Sequence, residues 1–368
     1  VSSQELPRTA AVVEQGIAAG QHIGAQGYVS RQGQRVAELI VGSSAPNVSM
    51  TRDTLMLWLS SSKPITAAAI MQLAEHGRLQ LDDPVAAHLP EFGQSGKQYV
   101  TLKHLLTHTA GLRWVADTRW PEADWDEIIA RICAAPLEKD WPLGEKAGYH
   151  PYTSWYILAE VIRRLDGRAL AQYVRDELFL PLAMDDCWIG MPPQRIANYA
   201  KRIGSMPQTD KPGQPPHPWS TPEGISHGAP GGGGYGPMHQ LARFYEMLLG
   251  AGELDGKRVL EPDSVRQMTS RQRAGMFDET FRHVMDWGLG VIIDSKQHGA
   301  NTVPYGYGDA ASPRTFGHSG SQSSVAFADP ASGLVVTLVF AGMPGERPHQ
   351  RRLRATLAAL EEDLAALG

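Results

Sequence analysis

No stretch of this chain approaches the roughly 20 consecutive apolar residues that a membrane-spanning helix needs. Runs of lysine or arginine are missing too, and the formal net charge is −5 with histidine neutral. Nucleic acid and anionic membrane surfaces are therefore not expected as partners. Cysteine is scarce: Cys133 and Cys187 are the only two, too few for a disulfide-stapled secreted scaffold. The opening residues, Val1-Ser2-Ser3-Gln4-Glu5-Leu6-Pro7, hold neither the basic nor the apolar segment of a signal peptide. The expectation is a cytoplasmic protein, with a mature secreted form as the alternative. What remains is ordinary globular composition, 42% hydrophobic and 20% charged. At 368 residues the chain is long for one compact core and suits a large two-part unit.

Hydrophobic periodicity lays out the elements. Ala10, Val13 and Ile17 share one face of a first helix, which Gly20 ends. Residues 23–30 and 35–41, on either side of Gln32-Gly33-Gln34, read as a strand hairpin. Pro64 has no backbone N–H and is tolerated only in the first turn of a helix. A helix therefore starts just before it and runs through Ala67, Ile70, Met71 and Ala74 to Gly77, with Ser60 at its mouth. Short helices broken by loops follow. A Pro- and Gly-rich stretch, 204–237, reads as an ordered loop over a cleft, since aromatic and histidine residues interrupt it. Strands return over 287–293, 323–328 and 334–340, the last two joined by the turn from Asp329 to Gly333. Leu353, Leu357, Leu360, Leu364 and Leu367 form one stripe of a final helix, expected to pack on the sheet.

Strands thus come from both ends of the chain. The expected fold class is α+β: an antiparallel sheet flanked by helices, an α/β/α sandwich built from residues 1–78 and 285–368. A mostly helical domain over 79–284 interrupts it.

Ser60-Ser61-Ser62-Lys63 is the strongest local signal. Residues three apart on a helix share a face, so the Ser60 hydroxyl and the Lys63 amine can meet. A serine hydroxyl is a poor nucleophile until a base takes its proton. Lysine can be that base only if burial or nearby positive charge brings its pKa down from about 10.4. The start of a helix adds N–H groups suited to a developing oxyanion. Taken alone, the motif is equally a serine cap followed by a surface lysine.

Its context is more specific. Trp58 to Ala69 is followed by Leu73-Ala74-Glu75-His76-Gly77-Arg78-Leu79-Gln80-Leu81-Asp82-Asp83-Pro84-Val85, and then by Leu105-Leu106-Thr107-His108-Thr109-Ala110-Gly111-Leu112. This succession resembles the β-lactamase-related serine hydrolases: class C β-lactamases, D-Ala-D-Ala carboxypeptidases, family VIII esterases and 6-aminohexanoate-dimer hydrolases. The family's second box, Tyr-x-Asn or Ser-x-Asn, is matched here by Tyr149-His150-Pro151, with Tyr152 and Tyr156 as other candidates. The resemblance implies that Tyr149 faces Ser60 and Lys63 as general base and proton shuttle; Pro151 departs from the family's asparagine. The third box, Lys-Thr-Gly in β-lactamases, is matched by His318-Ser319-Gly320 before the terminal hairpin. The resemblance makes these three residues substrate-binding and puts the oxyanion between the N–H groups of Ser60 and Ser321. Gly320 is expected to let substrate approach the backbone. His318 replaces a permanent cation with a group largely neutral at pH 7.

His104 and His108 have the one-turn spacing of a metal pair, but no third ligand completes a set, so no metal and no cofactor is expected. Gly231 to Gly234 lacks the Gly-Lys-Ser/Thr ending of a phosphate loop. Seven of the nine tryptophans fall between Trp114 and Trp219 and suggest an apolar acyl pocket. The expected activity is hydrolysis of a small-molecule ester through acyl-Ser60, most simply a carboxylesterase of neutral esters. An amidase, D-aminopeptidase or acyltransferase would use the same intermediate. The rival of another class is a catalytically silent ligand sensor of the penicillin-binding type.

Overall fold

A computed structural model describes residues 4–115 and 123–367. Eight strands form one sheet, in the order Asp286–Trp287, Ile292–Ile293, Phe316–Gly320, Ser324–Asp329, Leu334–Phe340, Gly24–Arg31, Gln34–Ala45 and Val48–Ser49. Every neighbouring pair is antiparallel. Leu334–Phe340 runs beside Gly24–Arg31 from Ala25↔Phe340 to Arg31↔Leu334, so the two ends of the chain close the sheet at its middle. The first hairpin turns in two residues, Gln32 and Gly33, with φ of +52° and +74°. Two positive values match the right-handed twist of the flanking strands.

The period-2 pattern divides the sheet into two faces. Val336, Leu338 and Phe340 join Val13, Leu353, Leu357 and Leu360 under the helices Pro7–Ala18 and Glu346–Leu367. Val335 and Val339 join the opposite core, where the helix Met238–Leu249 lies. Helices therefore cover both faces, as the sequence predicts. The last leucine of the final stripe, Leu367, is exposed, because the helix outruns the sheet there. The single strand expected over 287–293 is instead two short strands. Gly288 to Val291 turns the chain between them, Gly290 taking φ +72°.

Beyond the sheet lies the helix Lys63–Glu75, in which every residue from Lys63 to Leu73 is buried. A run apolar all round belongs inside a core, and this helix packs against the helix Thr153–Asp166 of the middle segment. The stretch 204–237 holds a helix, Pro222–His227, and a strand, Gly234–Gly236. It does not lie over the cleft. Its glycines pack behind Ser60, where a side chain at Gly231 would strike Trp155 and one at Gly234 would strike Ser62 and Trp58.

Gln26 ties three segments together from inside. Its amide nitrogen donates to the carbonyls of Thr51 (2.6 Å), Arg52 (3.1 Å) and Thr54 (3.2 Å). Its amide oxygen accepts from the N–H of Met238 (2.6 Å), a helix-end donor with no partner within its own helix. Gln26→Leu is expected to cost at least about 1–3 kcal/mol, the penalty for one buried group left unpaired. Denaturant unfolding of the two proteins side by side checks this, and equal midpoints would remove Gln26 from the framework.

Candidate active site

The nucleophile turn is built by backbone constraint. Leu59 takes φ +50°, a left-handed conformation that costs a non-glycine residue on the order of 1–3 kcal/mol. Leu59–Ser62 forms one 3₁₀ turn that leads directly into the helix Lys63–Glu75. Positions i and i+3 of a 3₁₀ turn eclipse one another, and Lys63 Nζ stands 3.0 Å from Ser60 Oγ.

The neighbouring serines have other work. The Ser61 hydroxyl donates to the His318 carbonyl (3.0 Å) and meets Ser324 Oγ (3.0 Å), which donates to the Trp58 carbonyl (2.6 Å). The Ser62 hydroxyl donates to the Leu59 carbonyl (2.6 Å) and accepts from the Gly234 N–H (2.9 Å). Both side chains are fully buried, whereas Ser60 borders a cleft of about 430 Å³.

Lys63 is buried, and no described carboxylate pairs with it. Its amine lies 2.9 Å from the Pro151 carbonyl and 2.7 Å from the Gly231 carbonyl. The rings of Tyr149 and Trp155 sit 5.1 and 5.3 Å away. Burial alone pushes its pKa well below that of an ordinary lysine.

Tyr149 donates its phenol hydrogen to Ser60 Oγ at 2.7 Å, and burial drives its pKa above the ordinary value. Tyr156 instead pairs with His227 Nε2 at 2.7 Å, and Tyr152 lines the cleft. Asp278 fixes Tyr149 by accepting its backbone N–H (3.1 Å) together with those of Thr280 and Phe281. Arg273, itself buried, donates to the same carboxylate at 2.9 Å. No spacing in the sequence marks Asp278 as the clamp on Tyr149.

His318 and Ser319 lie on the strand Phe316–Gly320 and line the cleft with Ser321. The adjacent short strand pairs only with Phe316 and Gly317, and the His318 carbonyl is taken by the Ser61 hydroxyl. Burial, and then the nearby Lys63 amine, lowers the His318 pKa to about 3, so the ring is neutral. Its Nε2 and the Ser319 hydroxyl make no hydrogen bond to the described residues.

At Gly320 a Cβ would stand 2.3 Å from the Trp58 carbonyl and from Ser324 Oγ, so the strand approaches the residue before the nucleophile turn closely here. The tryptophan reading is corrected. Trp58 and Trp155 are core, Trp114 alone among the described tryptophans lines the cleft, and Trp120 lies outside the described residues. The remaining aromatic wall is Tyr149, Tyr152, Phe281 and Tyr305.

His104 caps a short helix with Thr101, and His108 Nδ1 accepts the His150 N–H at 3.0 Å. Against the expectation that the chain holds no Gly-x-Ser-x-Gly elbow, Gly224-Ile225-Ser226-His227-Gly228 has that pattern of the α/β-hydrolases. It sits in the helix Pro222–His227 after a 3₁₀ turn, away from the cleft, and lacks the strand-to-helix turn that an elbow needs.

A hydroxyl in contact with a buried amine and a phenol, at the edge of a cleft, is the equipment of a serine hydrolase. A family model described as Beta-lactamase matches residues 9–361. Esterase EstB of Burkholderia gladioli is 29% identical, over 92% of this chain and 92% of its own. Esterase/beta-lactamase LipL of Mycobacterium tuberculosis is 26% identical, over 79% of this chain and 70% of its own. A penicillin-binding protein homologue from Caulobacter crescentus superposes with a TM-score of 0.77 at 30% identity, covering 98% of each chain. A family VIII carboxylesterase superposes at 0.76 and 24% identity over 99% of this chain and 98% of its own, a likeness of fold. The chain belongs to the Beta-lactamase family and is a serine hydrolase of that superfamily, with a β-lactamase/transpeptidase-like fold.

Gly320→Ala is expected to push the Phe316–Gly320 strand off the nucleophile turn and cost about 1–3 kcal/mol, the usual penalty of overpacking. Calorimetric or denaturant unfolding measures it. An unchanged stability would show that the turn and the strand are not held in register at this contact.

Proposed function

We propose that the protein is a carboxylesterase of small or medium neutral esters, working through an acyl-Ser60 intermediate. The observation that carries this reading is the Ser60 hydroxyl held between Lys63 Nζ (3.0 Å) and Tyr149 Oη (2.7 Å). A neutral amine has two N–H groups and one lone pair. With the N–H groups satisfied by the Pro151 and Gly231 carbonyls, the lone pair is left facing Ser60 Oγ. Burial shifts the amine toward that neutral form. Ser60 Oγ then bonds to the ester carbonyl carbon as its proton passes to Lys63. The N–H groups of Ser60 and Ser321 receive the oxyanion. Collapse breaks the bond to the alcohol oxygen, and the proton goes to the departing alkoxide with Tyr149 as relay. Water repeats the sequence on the acyl-enzyme and releases the acid.

The same residues support a preference for esters over β-lactams and free-carboxylate peptides. His318 stands where β-lactamases carry a lysine, and its ring is neutral at pH 7. Pro151 has no side-chain amide, and its carbonyl is taken by Lys63. A carboxylate left unpaired there costs about 1–3 kcal/mol, one to two decades of rate. Uncharged esters are expected to exceed a cephalosporin in kcat/KM by at least about 100-fold. A protein that turns over the cephalosporin faster would sink the esterase assignment and leave acyl-Ser60 standing.

The mechanism has its own tests. An organophosphonate should add once, at Ser60, and Ser60→Ala should neither label nor turn over. Lys63→Ala and Tyr149→Phe should each lower kcat by about 100-fold or more. A labelled protein that never turns over an ester would favour the ligand-sensor reading. Lys63 works as a base only when neutral. Acylation should therefore decline as pH falls through the lowered Lys63 pKa, and level off above it. A rate that rises toward acid pH would exclude Lys63 as the base.

A further inference from the structure

The described walls of the cleft are aromatic or neutral with one exception. Glu346, the first residue of the final helix, borders the cleft and is exposed to it. Gln350, one turn along the same helix, donates to Glu346 Oε1 at 3.3 Å. Gln350 is held in turn by the Tyr305 backbone N–H, which donates to its amide oxygen at 2.9 Å.

No described lysine or arginine side chain lines the cleft. The Arg113 guanidinium reaches Thr280 Oγ1 of the wall at 3.5 Å but is committed to Glu138 through Nε and Nη2. Trp114, Tyr152 and Phe281 line the same cleft, and aromatic ring faces attract a cation. An acidic residue in the first turn of a helix often serves only the helix dipole. Here it is also the one acidic side chain among the described residues of a concave aromatic surface that includes Ser60.

We propose that Glu346 selects for substrates bearing a positive charge, an ammonium group on the acyl or alcohol part of the ester, held between its carboxylate and the aromatic wall. This rests on the cleft being the hydrolase site. Uncharged esters enter it, cationic ones are preferred, and anionic ones are repelled twice, by Glu346 and by the absence of a counter-ion.

The test compares two p-nitrophenyl phosphonates, one carrying a trimethylammonium group and the other its uncharged tert-butyl isostere. In each, a Ser60 oxygen–phosphorus bond replaces the p-nitrophenolate–phosphorus bond, with the hydroxyl proton passing to Lys63. Adduct formation is followed by intact mass, so no turnover is needed. The expected ratio of cationic to neutral labelling rates is roughly tenfold at low salt, from the attraction of one charge pair at an intermediate dielectric. The ratio should shrink as salt screens the pair, approach one in Glu346→Gln, and persist in Glu346→Asp. Glutamine keeps the size and most hydrogen bonds, so a merely structural role would leave the ratio unmoved. A wild-type ratio of one, or a ratio that survives Glu346→Gln, overturns the inference while the hydrolase reading stands. If neither phosphonate labels Ser60, the hydrolase reading falls and the inference falls with it.

Discussion

A buried amine set among two carbonyl oxygens, two aromatic rings and the serine hydroxyl it serves is the constraint on which this site turns. A buried lysine is costly when charged, and among the described residues no carboxylate pairs with Lys63 to offset that cost. The surroundings are arranged for the neutral form: two carbonyls accept its hydrogens, and Tyr149 and Trp155 close the remaining space. Each feature has a counterpart elsewhere in the fold. The helix behind Lys63 is buried on all sides. Gly231 lacks a side chain because Trp155 occupies that volume, which in turn lets its carbonyl reach the amine.

The second requirement is that the nucleophile turn and the sheet act as one body. The strand Phe316–Gly320 comes from the far end of the chain, yet it meets the turn through Ser61 and Ser324 with bonds of 3.0 and 2.6 Å. On its other side the turn is tied to the strand Gly234–Gly236, where Trp58 donates from its backbone (2.8 Å) and from its indole (3.0 Å). Held from both sides, Leu59 keeps its strained conformation and Ser60 faces the cleft. The two spare serines of the motif are therefore fasteners.

Charge decides what the cleft accepts. Burial removes the proton that would make His318 a cation, and Arg113 is spent on Glu138. Glu346 is then the one described wall residue with an acidic side chain. A site that resembles β-lactamases in its nucleophile thus differs from them in its electrostatics, and through a small number of positions.

What the sequence determined by itself is whatever depends on near neighbours and on period. The strands at both ends alternate in a way that needs a two-faced sheet. Ser60 and Lys63 meet because three residues of helical backbone bring them together, and Pro64 says where that helix begins. Even so, the strand expected over 287–293 broke in two at its glycines, and the glycine-rich stretch went behind the nucleophile rather than over the cleft. Tertiary structure alone decided the partners of the reacting groups. The acceptors on Lys63 are backbone carbonyls 88 and 168 positions away, and Tyr149 is held by Asp278, 129 positions away. Every residue has a carbonyl, so no residue type announces which one will face an amine. That is settled only when the sheet, the central helix and the glycine-rich segment close around it.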